Sequence, residues 1–123
     1  MKIQQILEIL QGELICGTEA LLMEEIDYGY SCDLMSDVLA YVQNNVLLLT
    51  GLVHPQVIRT AEMLDIKAIL IVRGKSPSED MIRMANERSI VMIRTSHSLF
   101  TASGLLFQHG LLGEEIAHDE IHL

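Results

Sequence analysis

Half of the 123 residues are hydrophobic, mean hydropathy is positive, and the formal net charge is −9. With 17 carboxylates against 8 Lys and Arg, the chain lacks the basic footprint that a nucleic-acid binder needs to displace counterions. No run approaches the roughly 20 apolar residues of a membrane span.

The N-terminal stretch carries Lys2 and Glu8 within its apolar pattern, unlike a secretory signal. Cys16 and Cys32 lack the spacing of a redox or zinc motif and read as reduced, packed thiols. The expectation is a cytoplasmic protein with one domain over residues 1–123, of which about 109–123 form an acidic C-terminal tail, and with no nucleic-acid or membrane partner.

In chain order, Ile3, Ile6, Leu7 and Leu10 make one apolar helical stripe, with Gly12 as its stop. Two short strands are predicted next, over Glu13 to Cys16 and Glu25 to Tyr30; the second alternates Ile26, Tyr28 and Tyr30 with polar residues. A helix from about Asp33 to Gln43 follows, capped by Ser31 or Asp33. The pattern then becomes strand, helix, strand, helix, strand. Val46 to Thr50, Ala68 to Val72 and Ile90 to Ile93 are continuous apolar runs, as expected of parallel strands covered on both faces.

His54-Pro55 places Pro at a first helical position, and Ser76-Pro77-Ser78-Glu79 reads as a capping box. A last helix from about His97 to Gln108 packs through Leu99, Phe100, Ala102, Leu106 and Phe107. The methionines read as core and interface filler. The fold class is α/β: a small, mainly parallel sheet flanked by helices, with a helix and short strands at its N-terminal end.

Parallel α/β sheets bind ligands beyond the carboxyl ends of their strands. Three loops leave those ends here: Thr50-Gly51-Leu52-Val53-His54, Arg73-Gly74-Lys75-Ser76 and Arg94-Thr95-Ser96-His97. Each feeds a helix N-terminus, which favours anions, and Arg73, Lys75 and Arg94 are among the few cations. Thr50, Gly51, His54, Arg73, Gly74, Lys75, Thr95, Ser96 and His97 are therefore the candidate ligand-binding residues for an anionic small molecule or nucleotide. The competing reading is that they are turn and cap residues with solvated charges.

Gly74-Lys75-Ser76 is not the end of a P-loop, because Ile69 stands where that motif needs a glycine. His118 and His122 lie four apart, but Asp119 replaces the Glu that follows the first His of a zinc protease motif. Pairings of Cys32 or a serine with His54 or His97 have no flanking nucleophile motif. Asp27, Asp33 and Asp37 read as strand-face, cap and helix-surface residues. No catalytic residue, metal ligand set or cofactor is expected.

The segments Gly29-Tyr30-Ser31-Cys32-Asp33-Leu34-Met35-Ser36-Asp37-Val38, Val46 to Thr50, Ala68 to Gly74 and Ser89 to Thr95 together resemble the DRTGG domain, which is similar to the N-terminal domain of HPr kinase/phosphorylase. Val72-Arg73-Gly74 stands where the family often has Thr-Gly-Gly, and Thr50 to Pro55 where it has a polar loop. The resemblance implies a regulatory or dimerisation module of the kind that accompanies CBS domains, pyrophosphatases and phosphotransacetylases. The expected function is a non-catalytic ligand-sensing homodimer. The alternatives are an interaction or scaffold protein without a small-molecule ligand, and a metal-assisted enzyme.

Overall fold

Each continuous apolar run becomes a strand buried on both faces. The computed structural model describes residues 1–115. In order they form α1 (Ile3–Ile9), β1 (Glu13–Cys16), α2 (Glu19–Leu22), β2 (Tyr28–Ser31), α3 (Met35–Tyr41), β3 (Val46–Thr50), α4 (Pro55–Met63), β4 (Ala68–Ile71), α5 (Glu79–Glu87), β5 (Val91–Arg94) and α6 (Leu99–Gln108). The five strands lie in the order β1-β5-β4-β3-β2. β2 to β5 run parallel, and β1 joins antiparallel on β5.

Alternation along the strands divides the core in two. Val46, Leu48, Ile69, Ile71 and Met92 face one side, against Met35 and Val38 of α3, Val57, Ile58 and Ala61 of α4, and Met81 and Ala85 of α5. Leu47, Leu49, Leu70, Val91 and Ile93 face the other, against α1, α2 and α6. Because β2, β3, β4 and β5 are successive neighbours, their crossovers step one way and α3 to α5 share a face. The chain changes face at β2, between α2 and α3, and again after β5, where α6 joins α1 and α2.

Several boundaries differ from the sequence expectation. The second strand begins at Tyr28, not Glu25, because Glu25 bridges to Lys2 and the Ile26 amide donates to the Met1 carbonyl. α5 is capped by Ser78, whose hydroxyl accepts from the Met81 amide; Ser76 and Pro77 lie outside the helix. α2, capped by Thr18, is too short to announce itself by periodicity. α6 begins after Ser98, and it exposes Phe100 (88%) and Phe107 (50%) instead of packing them. Met23 and Met63 are likewise exposed, whereas Met35, Met81 and Met92 fill the core.

Gly12 is not the left-handed residue that stops α1. Gln11 takes that conformation (φ 50°), as Asp65 and Ser89 do after α4 and α5. In each case the following residue's amide reaches back to a carbonyl of the last turn: Gly12 to Leu7, Ile66 to Ala61 and Ile90 to Ala85. This paired closure satisfies orphan helix carbonyls, and it drops Ile66 and Ile90 into the core just ahead of β4 and β5.

Beyond α6, Leu111 is buried, the Gly29 amide of β2 donates to the Leu112 carbonyl, and Glu114 accepts from the Gln43 amide and the Asn44 side chain. The start of the expected tail thus lies against the β2 edge. The rest of it, including His118 and His122, falls outside the described residues.

Gly12 is needed for space. A Cβ there would lie 2.7 Å from Ile93 Cγ2 and 3.3 Å from the Arg94 carbonyl oxygen. Gly12→Ala is expected to cost about 1–3 kcal/mol by overpacking, read as a lower urea midpoint at unchanged slope. An unchanged midpoint would contradict the packing.

Candidate functional site

The three central strands, β3, β4 and β5, carry no polar side chain before their last residues, so their polar chemistry is confined to their ends. At the β3 exit the Thr50 side chain is fully buried and its hydroxyl donates to Asp33 Oδ1 at 2.9 Å. The Gly51 amide donates to the same oxygen at 2.7 Å. Asp33 follows β2, so its carboxylate ties the β2 and β3 exits together. The Gly51 amide first, then the Thr50 hydroxyl, Lys75 and Arg73, hold its pKa below the ordinary carboxylate value, against the opposing effect of burial.

The β4 exit is a tight turn. Arg73 (φ 59°) and Gly74 (φ 64°) are both left-handed, and the Lys75 amide donates to the Val72 carbonyl, which is the geometry of a type I′ turn. Arginine in the first central position costs about 1 kcal/mol relative to a residue suited to it. The turn is also pinned from the side: the Arg73 amide donates to the His97 carbonyl at 2.8 Å and the Gly74 amide to the Thr95 carbonyl at 2.7 Å. Arg73 is exposed and makes no ion pair among the described residues, while Lys75 Nζ donates to the Gly51 carbonyl at 2.7 Å.

The nine residues expected from the sequence therefore separate. Thr50, Gly51, Arg73 and Lys75 gather around Asp33. Gly74, Thr95 and Ser96 line a second cleft of about 360 Å³ with Gln11, Glu13 and Arg94. There Arg94 is engaged by Glu13 and by Ser76. Thr95 is buried, and its hydroxyl donates to the Leu10 carbonyl. His54 caps α4, its ring Nδ1 accepting from the Gln56 amide, and His97 contributes its backbone to the loop contacts.

The loop amides that were to greet an anion are thus largely taken: Gly51 by Asp33, Arg73 and Gly74 by the β5 loop, Lys75 by Val72. Side chains, not a backbone cradle, are left to recognise a ligand. Sequence reading missed Asp33 as the organiser of the exits, because an Asp ahead of an amphipathic segment looks like a helix cap. In the structure α3 starts at Met35 without a side-chain cap. A further cleft of about 360 Å³, between β2, α6 and residues 111–113, is lined by Tyr30, Ser31, Ser103, Phe107 and Leu112 among others.

Neither cysteine forms a disulfide. Cys16 is buried, and burial raises the pKa of its thiol above the ordinary value despite a backbone hydrogen bond with Met92; this is the environment of an inert thiol. Cys32 lies beside Leu34, half-buried. Among the described residues no helix is long and apolar enough to cross a membrane.

The family model for the DRTGG domain matches residues 5–109. A solved structure is similar over 85% of this chain and 45% of its own length, at 20% identity and a TM-score of 0.69: the CBS and DRTGG domains of the regulatory region of Clostridium perfringens pyrophosphatase, complexed with the activator diadenosine tetraphosphate. This chain spans less than half of that one, and the likeness is one of fold. Among curated proteins none matches.

Because the Asp33 carboxylate is more acidic in the folded state than unfolded, the unfolded chain binds more protons in the acid range. Its contribution is present above the ordinary value of 3.8 and is lost as pH falls through the lower folded value. Asp33→Asn should flatten the acid limb of stability against pH, measured by urea unfolding between about pH 2 and pH 7. A limb of unchanged steepness would remove Asp33 from its role.

Proposed function

The chain belongs to the DRTGG domain family, and from that premise we propose that it is a non-catalytic, ligand-sensing regulatory module of the cytoplasm, organised as one domain, that takes an anionic small molecule or nucleotide at the strand exits. The observation that carries this reading is an exposed Arg73 without an ion pair, held by a strained turn beside Asp33, Gly51 and Lys75. Gln11, Asp65 and Ser89 take the left-handed backbone to close helices, whereas Arg73 takes it in a strand-exit turn, and strain of this kind clusters at functional sites. The buried Thr50 supports the site; of the other expected residues, Gly74, Thr95 and Ser96 lie in the neighbouring cleft, His54 caps α4, and His97 holds the Arg73 amide.

The comparison structure's complex with a dinucleotide is in keeping with an anionic ligand. The expected similarity to the N-terminal domain of HPr kinase/phosphorylase belongs to the same reading. The reading is non-catalytic; in keeping with it, the two exit threonines have their hydroxyls engaged by Asp33 and by the Leu10 carbonyl, and Cys16 is a buried, weakly acidic thiol.

Self-association as a homodimer is favoured by α6. Its ten residues carry no charge, and Phe100, Gly104 and Phe107 line its outer side. Exposed aromatic side chains on such a helix call for cover, and in a chain of net charge −9 an uncharged face is where two copies approach with least repulsion.

A screen of nucleotides and phosphorylated metabolites by thermal shift is expected to give at least one stabilising ligand, with the shift abolished in the Arg73→Ala/Lys75→Ala double variant. Light scattering on the same samples should give a dimer mass. A shift that survives the double substitution would place the ligand elsewhere, and a silent screen would leave the scaffold alternative standing.

A further inference from the structure

Asp33 and Arg73 meet a common point without meeting each other. A Cβ built on Gly51 would lie 3.3 Å from Arg73 Nη2 and 3.6 Å from both Asp33 oxygens, yet no ion pair within 4.0 Å joins the two side chains. The carboxylate of Asp33 and the backbone of Arg73 have separate anchors. Asp33 is fixed through Oδ1 to Thr50 and Gly51. Arg73 is fixed by its turn and by its amide bond to His97. The missing side chain of Gly51 thus leaves a notch with a carboxylate on one wall and a guanidinium on the other. Lys75 supplies a second cation next to it, through its contact with the Gly51 carbonyl.

Both hydrogen bonds to Asp33 fall on Oδ1, so Oδ2 is an acceptor without a partner among the described residues. A carboxylate repels a plain anion, and inorganic phosphate or a polyphosphate would meet it at close range. A molecule with a hydroxyl donor at one end and a phosphate at the other satisfies both walls.

We propose that the notch over Gly51 is a two-point site for a nucleoside phosphate, in which Asp33 Oδ2 accepts a hydrogen bond from a sugar hydroxyl while Arg73 and Lys75 take the phosphate. This rests on the reading of the strand exits as an anion site, and adds that Asp33 selects what the anion is attached to. Asp33 is exposed, so the preference comes from the charge-assisted bond that the hydroxyl makes to Oδ2 in place of water.

The test is calorimetric titration of the intact protein with ATP, 2′,3′-dideoxy-ATP and inorganic tripolyphosphate. ATP should bind about tenfold or more tightly than the dideoxy analogue, the usual weight of a hydrogen bond to a charged group, and tripolyphosphate should bind weakly. Asp33→Asn keeps the Oδ1 acceptor but turns Oδ2 into a donor, so it should erase the preference for ATP while melting as a folded protein. Gly51→Ala fills the notch and leaves every charge in place. It should weaken ATP binding at least as much, and it serves as the decisive variant should Asp33→Asn not fold. Equal affinity for ATP and its dideoxy analogue, with both lost in Arg73→Ala, would overturn the sugar contact and leave the anion site standing. Binding indifferent to Arg73→Ala, or absence of binding by all three compounds, would overturn the anion site and this inference with it.

Discussion

Strands with no polar side chain before their last residue have to be covered on both faces, and everything else in this protein follows from that requirement. β3 and β4 are buried along their whole length, and β5 up to Arg94. Only helices on both sides provide such cover, and right-handed crossovers supply those on one side while holding the strands parallel. Parallel strands leave the sheet at one end. Polar residues excluded from the strand interiors therefore accumulate together at that end: Asp33, Thr50, Arg73, Arg94 and Thr95. The candidate site is a by-product of core formation, made specific by which polar residue stands at which exit.

Within that end, the distribution of hydrogen bonds separates scaffold from chemistry. Asp33 joins β2 to β3 through Thr50 and Gly51, and the amides of Arg73 and Gly74 join β4 to β5. After β4 the chain goes to one face and after β5 to the other, a divergence that opens a crevice in many α/β proteins. Here the two amide bonds draw it together, so the free groups lie nearer β3, at Arg73 and the second oxygen of Asp33. A conformational response to a ligand would pass most directly through these bonds, because the same turn that presents Arg73 also holds the β5 loop.

Much of the architecture was legible in the residues. Val46 to Thr50, Ala68 to Val72 and Ile90 to Ile93 declared themselves as parallel strands by lacking alternation, and His54-Pro55 marked the start of α4. Legibility stopped where local signals were overridden by distant partners. Asp33 reads as a helix cap until the β3 exit claims it, and Ser76 reads as a cap until Arg94 does. Helix ends were harder still, because Gln11, Asp65 and Ser89 occupy the left-handed positions where a glycine would have been the signal. The exposure of Phe100 and Phe107 is equally invisible in one sequence. An apolar helix face looks the same whether it covers its own sheet or awaits a second copy.

The central claim, that the exits of the parallel strands form the ligand site, is tested most directly by following backbone amide resonances of the ¹⁵N-labelled protein during titration with ATP. The account predicts the largest shifts at Asp33, Gly51, Arg73 and Lys75, with smaller ones at His97 relayed through its carbonyl. Shifts concentrated instead around Tyr30, Ser103 and Leu112, or none at saturating nucleotide, would contradict it.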